Sequence, residues 1–313
     1  MVHGGAGTGA KGDRQAGGQV AGLLAQAMDR HRVGDLAGAE ALYRRILALD
    51  PSQADALNLC GVACHQQGRS AEGRALLERA LAARPDDQGA LENLGLLLVQ
   101  QGDAAAAVPL LRHTLRLYPR SVSAWMSLGL AYAELKDLSA AMAAYHSLLD
   151  IAPHHVPALL NLGDLMRQRY DGEGAEIMAR RLLALEPANP AGHMSLANAL
   201  QVVGDLPGAE AAFTRALDLD PQDPAPRYNR SYVRLAMGRL PDGWADYASR
   251  FATGNIQPWR YPDRPQWAGD PLNGRRLMLW REQGLGDEFM FSPLMSRPSA
   301  RRWAGRPAGS SSS

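Results

Sequence analysis

Between Val20 and Phe251 the apolar residues recur with helical period. They fall in paired runs of about 12 to 14 residues separated by short polar breaks. In the stretch Val122 to His155, Trp125, Leu128, Leu130 and Tyr132 lie along a first predicted helix. Leu138, Ala141, Met142, Tyr145 and Leu148 lie along a second. The same unit recurs on both sides. Pro51, Pro85, Pro119, Pro153, Pro187 and Pro221 are each 34 residues apart, and equal spacing with self-similar units marks a repeat architecture.

Each break carries turn chemistry. Gly34, Gly68, Gly102, Gly204 and Gly238 fall where a left-handed residue ends the first helix, a conformation that suits Gly best. Asp35, Asp103, Asp137, Asp171 and Asp205 follow as predicted N-caps of the second helix. Lys136 and Tyr170 replace the turn Gly in two units, which predicts less comfortable turns there.

Small residues recur where helices must approach closely. On the first helix they are Ala27, Gly61, Gly95, Gly129, Gly163, Ala197 and Ser231. On the second they are Ala39, Gly73, Ala107, Ala141, Ala175, Ala209 and Gly243. A Gly inside a helix costs about 1 kcal/mol relative to Ala, so its repetition points to close packing. Tyr43, Leu77, Leu111, Tyr145 and Phe213 are the large residues predicted to fill the seam.

Trp125, Leu128, Gly129, Tyr132, Ala141, Tyr145 and Pro153, in that order and spacing, closely resemble the tetratricopeptide repeat. The resemblance covers residues 20–251 as seven units and implies an all-α, right-handed superhelical solenoid of helix-turn-helix repeats. Arg227, Arg230 and Arg234 stand in the last unit where earlier units are mostly apolar, as a polar outer face of a capping unit would require. Pro109 lies inside a predicted second helix and implies a kink or a late start there.

Composition narrows the function classes. The chain has 313 residues, 46% of them hydrophobic, and a formal net charge of +1, which gives no argument for a nucleic-acid partner. Its basic residues are nearly all Arg, with Lys only at Lys11 and Lys136, as expected of a high-GC bacterial gene. The N-terminal stretch has no apolar core of a secretory signal, and no run of about 20 apolar residues is available to span a membrane. A cytoplasmic protein without a membrane partner is expected. Residues 1–19 are Gly-rich and expected to be disordered. GGAGTGAKG within them fails as a phosphate loop, because Ala10 separates Gly9 from Lys11 and no strand precedes.

After Phe251 the period is lost. Residues 252–274 read as a Pro- and Trp-rich loop, Arg275 to Arg281 as a buried strand, and EFMFSPL as the start of a helix with Asp287 as its cap. Residues 296–313 are expected to be disordered. GWADYASRF, QWAGDPLNGRRLMLW and EQGLGDEFMF resemble the junction in bacterial proteins whose tetratricopeptide repeats precede a glycosyltransferase domain of the two-Rossmann GT-B fold. Those domains are similar to heptosyltransferases and O-linked N-acetylglucosamine transferases. The resemblance implies that residues 252–295 hold the first strand, turn and helix of such a domain. It makes Gly284, Gly286 and Asp287 a remnant of its acceptor loop. The sugar-nucleotide half has no counterpart here. The chain as given is therefore expected to lack glycosyltransferase activity, and sugar nucleotide enters only if the missing domain is restored. The alternative reading is an N-terminal fragment of such an enzyme.

The first helices are expected to line a concave groove. Asn93, Ser127, Asn161, Ser195 and Asn229 are 34 residues apart and form one ladder along it, with Asn58 and Asn198 beside them. An equivalent Asn ladder in the O-linked N-acetylglucosamine transferases holds the backbone of a bound polypeptide. An amide offers both donor and acceptor to such a backbone. The alternative is that these residues are ordinary polar positions of a solvated face. The implied partner is a protein or extended peptide. Cys60 and Cys64 share a helix face beside His65, a pattern that hints at metal. They also replace core positions of the repeat, so packing is the expected role and no metal or cofactor is expected. His154 and His155 are expected to be solvated.

Overall fold

The structure, a computed structural model, describes residues 9–253. Seven helix pairs follow one another along the described residues. Pair one is α1 (Gly9–Arg32) and α2 (Leu36–Leu49), pair two α3 (Ala54–Gln66) and α4 (Ser70–Ala83), pair three α5 (Gln88–Gln100) and α6 (Ala104–Leu117). Pair four is α7 (Val122–Glu134) and α8 (Leu138–Ile151), pair five α9 (Val156–Gln168) and α10 (Gly172–Leu185), pair six α11 (Pro190–Val203) and α12 (Leu206–Leu219). Pair seven is α13 (Pro224–Ala236) and α14 (Leu240–Tyr247), which runs into a 3-10 turn at Ala248–Thr253. There is no strand among the described residues. The strand expected at Arg275 to Arg281 and the loop Gly284, Gly286 and Asp287 lie outside them.

The helix ends follow the turn chemistry. Gly34, Gly68, Gly102, Gly204 and Gly238 all have positive φ, and Lys136 and Tyr170 are forced to φ 63° and 61° at the same place. Asp35, Asp103, Asp137, Asp171 and Asp205 each accept from a backbone N–H in the first turn of the following helix. A second series of caps opens the first helices. Gln53, Asp87, Ser121, His155, Asn189 and Asp223 hold this role at the 34-residue spacing. His155 is therefore a cap rather than a solvated residue, with Nδ1 accepting from Ala158 N–H at 3.2 Å.

Two expectations change. Helix α1 begins at Gly9, so residues 9–19 are helical rather than disordered. Leu23 and Ala27 are buried and fix the helix downstream, and adding residues to an existing helix avoids the cost of nucleation. Helix α6 starts at Ala104 behind its Asp103 cap, so Pro109 does not delay it. One carbonyl there goes without an intrahelical donor, a loss that a capped and packed helix absorbs.

The core runs along the solenoid as a seam between helices. Tyr43, Leu77, Leu111, Tyr145 and Phe213 are at most 1% exposed, and each such side chain contributes about 1.5–3 kcal/mol by leaving water. The fifth unit breaks this series with Ala179. The Gly positions make room for the seam. A methyl on Gly95 would lie 2.4 Å from Leu111, and one on Gly73 would lie 2.7 Å from the Gly61 carbonyl. Each second helix packs on the next unit's first helix. First helices also pack on first helices, as α3 with α5, α5 with α7 and α9 with α11, whereas successive second helices show no comparable packing. The row of first helices thus occupies the tighter, concave side of the array.

Candidate peptide-binding groove

The expected ladder is not uniform. At its N-terminal end Asn93 Nδ2 donates to Asn58 Oδ1 at 2.8 Å, and Asn58 is almost fully buried. At its C-terminal end Asn229 Nδ2 reaches Asn198 Oδ1 at 3.5 Å. Between them Asn161 Nδ2 donates to the buried Tyr145 hydroxyl at 3.2 Å. Ser127 is 3% exposed, so its short side chain is out of reach of a groove ligand. Ser195 is half-buried. The structure thus joins Asn58 to Asn93 and Asn198 to Asn229 but leaves Asn161 to pair within its own neighbourhood.

These bonds leave capacity. An amide has two N–H donors and two acceptor lone pairs on oxygen. Half-buried Asn93, Asn161 and Asn229 each commit one N–H in these contacts. Each keeps a carbonyl oxygen and a second N–H, in an orientation fixed by its partner. Such fixed amides lose little side-chain entropy when they meet a peptide backbone. Burial pushes the Tyr145 hydroxyl up to about 12, against the opposing hydrogen bond from Asn161, so it stays a protonated anchor.

A further polar series was missed in the sequence. His31 Nε2 meets Gln66 Oε1 at 2.8 Å, and His65 Nε2 meets Gln100 Oε1 at 2.5 Å. Both pairs span 35 residues and tie one first helix to the next. The signal was the His–Gln spacing, which matches that of Asn58–Asn93.

Cys60 and Cys64 are fully buried in the N-terminal core. The Cys64 sulfur lies close to carboxylates of Glu40 and Glu72. That donor set does not suit a metal ion. Glu40 and Glu72 are already held by Arg44 and Arg69, with Gln67 adding a hydrogen bond to Glu40. Burial pushes the Cys60 thiol up to about 12 and raises Cys64 too, whereas metal binding needs the thiolate. The cluster is an ion-pair network joining units one and two.

The last unit also differs from expectation. Arg230 and Arg234 do not form an outer face. They turn inward, and Asp246 accepts from Arg230 Nε at 2.7 Å and from Arg234 Nη1 at 2.9 Å. Arg234 Nε also donates to Glu210 at 2.7 Å. Arg227 alone of the three is exposed.

No helix among the described residues is long and apolar enough to cross a membrane. A family model described as tetratricopeptide repeat matches residues 24–88, 92–156 and 160–224. The chain is 42% identical over 59 residues to protein FlbA of Caulobacter vibrioides, a match covering 18% of this chain and only 10% of that protein. Among solved structures, a tetratricopeptide repeat protein from Parabacteroides merdae superposes with a TM-score of 0.59 at 20% identity, covering 75% of this chain and 93% of that one. PilF of Pseudomonas aeruginosa gives 0.60 at 20% identity, covering 68% of this chain and 95% of that one.

Proposed function

Because this chain belongs to the tetratricopeptide-repeat family, a class of protein-interaction scaffold, we propose that its concave groove binds an extended segment of a partner protein. The observation that carries the proposal is the set of half-buried amides, Asn93, Asn161 and Asn229, each oriented by a neighbour and each retaining donors and acceptors. Asn58 and Asn198 act behind them as supports, and Ser195 adds a hydroxyl to the row. An extended backbone presents N–H and C=O groups in alternation, so a row of amides recognises it with little dependence on side chains. Specificity then comes from the groove's other residues.

The test is a peptide library screened against the full chain, followed by affinity measurement on a selected peptide. Asn93→Ala, Asn161→Ala and Asn229→Ala together should weaken binding by at least about tenfold while leaving helicity unchanged. Unchanged affinity with an intact fold would sink the ladder. The glycosyltransferase reading rests on the sequence of residues 243–291. It predicts saturable sugar-nucleotide binding only in a longer chain, which is a separate measurement.

A further inference from the structure

A second groove lies on the opposite side of the array. It runs between α6 and α8 with α7 as its floor, and its cavity volume is about 480 Å³. The floor is Trp125, Leu128 and Tyr132, and the α8 wall is built from Ala140, Ala143, Ala144 and Ser147. That wall keeps the slot open because its residues are small. Trp125 gives its indole N–H to the Pro119 carbonyl at 2.9 Å, so it offers the slot an aromatic surface and no donor. Ser147 gives its hydroxyl proton to the Ala143 carbonyl at 3.0 Å. The interior is therefore apolar in character.

The rim is basic. Arg112 and Arg116, one helical turn apart on α6, border the slot, and both are exposed. Helix α6 reads AAAAVPLLRHTLRL and contains no Asp or Glu. Among the described residues neither arginine has a carboxylate partner. Nη2 of Arg116 meets Nδ1 of His113 at 3.4 Å. Among the described residues, helices α2, α4 and α10 each pair one arginine with carboxylates and leave the other, Arg45, Arg79 or Arg181, without one, and the single Arg215 of α12 also lacks one. Arg44 pairs with Glu40 and Glu72, Arg74 with Glu78 and Asp103, and Arg180 with Glu176. Among the described second helices α6 alone carries two arginines that both lack a carboxylate partner, and both border the slot.

We infer that this convex groove docks an acidic segment of a partner protein, with one aliphatic or aromatic side chain in the slot and flanking carboxylates on Arg112 and Arg116. A guanidinium holds a carboxylate through two parallel N–H bonds, which fixes orientation as well as attracting charge. The volume lies within the range of about 300–1,000 Å³ over which protein pockets enclose small ligands, enough for a large side chain and its neighbours. The walls of the site are the second helices α6 and α8, and its floor is a different set of α7 residues from those of the concave ladder, so it stands independently of the concave reading. A scaffold with both would hold two partners at once.

The test uses the full chain and a fluorescent probe peptide of Glu residues flanking a Leu-Phe pair, read by anisotropy. Matched peptides carry Lys for Glu, or Ser for the Leu-Phe pair. Binding of the Glu probe alone is expected, and it should weaken as salt is added. Arg112→Glu with Arg116→Glu should weaken it at least about tenfold. Ala143→Phe, an exposed position whose new ring fills the slot, should do the same with both arginines intact. Thermal melts and circular dichroism of the variants confirm the fold. Asn93→Ala with Asn229→Ala should leave probe affinity unchanged, which separates this groove from the concave one. The inference is overturned if the Glu probe shows no saturable binding, if the Lys or Ser probe binds equally well, or if either groove variant retains full affinity.

Discussion

Gly129 and Gly163 occupy the same position of the repeat, and the structure predicts opposite outcomes for the same substitution. A methyl at Gly129 would sit 2.5 Å from Cε1 and 2.7 Å from Cζ of Tyr145. That ring is 1% exposed and its hydroxyl is tied to Asn161, so it has nowhere to move. At Gly163 the seam residue is Ala179, and a methyl would meet Met178 Cβ at 3.4 Å and the Ala175 carbonyl at 3.7 Å, ordinary contact distances. Gly to Ala inside a helix gains about 1 kcal/mol. Gly163→Ala should keep about 0.5–1 kcal/mol of that gain. Overpacking a filled core costs about 1–3 kcal/mol, so against that gain Gly129→Ala should lose up to about 2 kcal/mol net. The two variants should therefore differ by about 2 kcal/mol, in opposite directions from the parent. Urea denaturation followed by far-UV circular dichroism reads this as a lowered midpoint for Gly129→Ala and a raised one for Gly163→Ala. Midpoints are the right observable, because a repeat array need not unfold in two states. Gly129→Ala with a midpoint equal to or above that of Gly163→Ala would refute the close-packing argument.

Three other perturbations follow from individual contacts. Asp246→Ala strands the nearly buried Arg230 guanidinium and leaves Arg234 with Glu210 alone, and should cost about 3–5 kcal/mol, seen as lost amide exchange protection in α13 and α14 first; full protection there contradicts it. Burial pushes the Glu40 carboxyl up, but hydrogen bonds from Arg69, Arg44 and Gln67 outweigh it and hold it at about 2. Its stabilisation is thus complete above its ordinary value of 4.5 and lost as pH falls toward 2. Thermal melts across that window should show a loss of roughly 2–3 kcal/mol at most, absent in Glu40→Gln. Tyr170→Gly relieves a left-handed residue at φ 61° that is 87% exposed, so it should raise the melting temperature by an amount worth about 1 kcal/mol. A lowered melting temperature would show that Tyr170 makes contacts worth more than its strain.

The helix pairs, turn glycines and Asp caps were legible because each obeys a local rule repeated at one spacing. The caps of the first helices obey the same spacing, yet Gln53, Asp87, Ser121, His155, Asn189 and Asp223 differ in residue type, so identity alone hides them. Ser127 shares the ladder position of Asn93, but its side chain is too short to clear the neighbouring helices. Arg230 and Arg234 looked solvent-facing because their partners are distant in sequence. Asp246 is 16 residues from Arg230, and Glu210 is 24 from Arg234. The basic rim of the convex groove needed both the absence of acid from α6 and the placement of α8 opposite it. Only the first of these is written in the chain.

The central claim is that fixed amides in the concave groove pair with the backbone of a bound segment. The direct measurement is a double-mutant cycle between the Asn93, Asn161 and Asn229 alanine variant and a selected peptide whose backbone amides are methylated one at a time. At the peptide positions that meet these residues, N-methylation should weaken binding to the parent chain by about tenfold and have little further effect on the variant. N-methylation that leaves parent affinity unchanged at every position, or that adds in full to the effect of the alanines, would contradict backbone recognition by these amides.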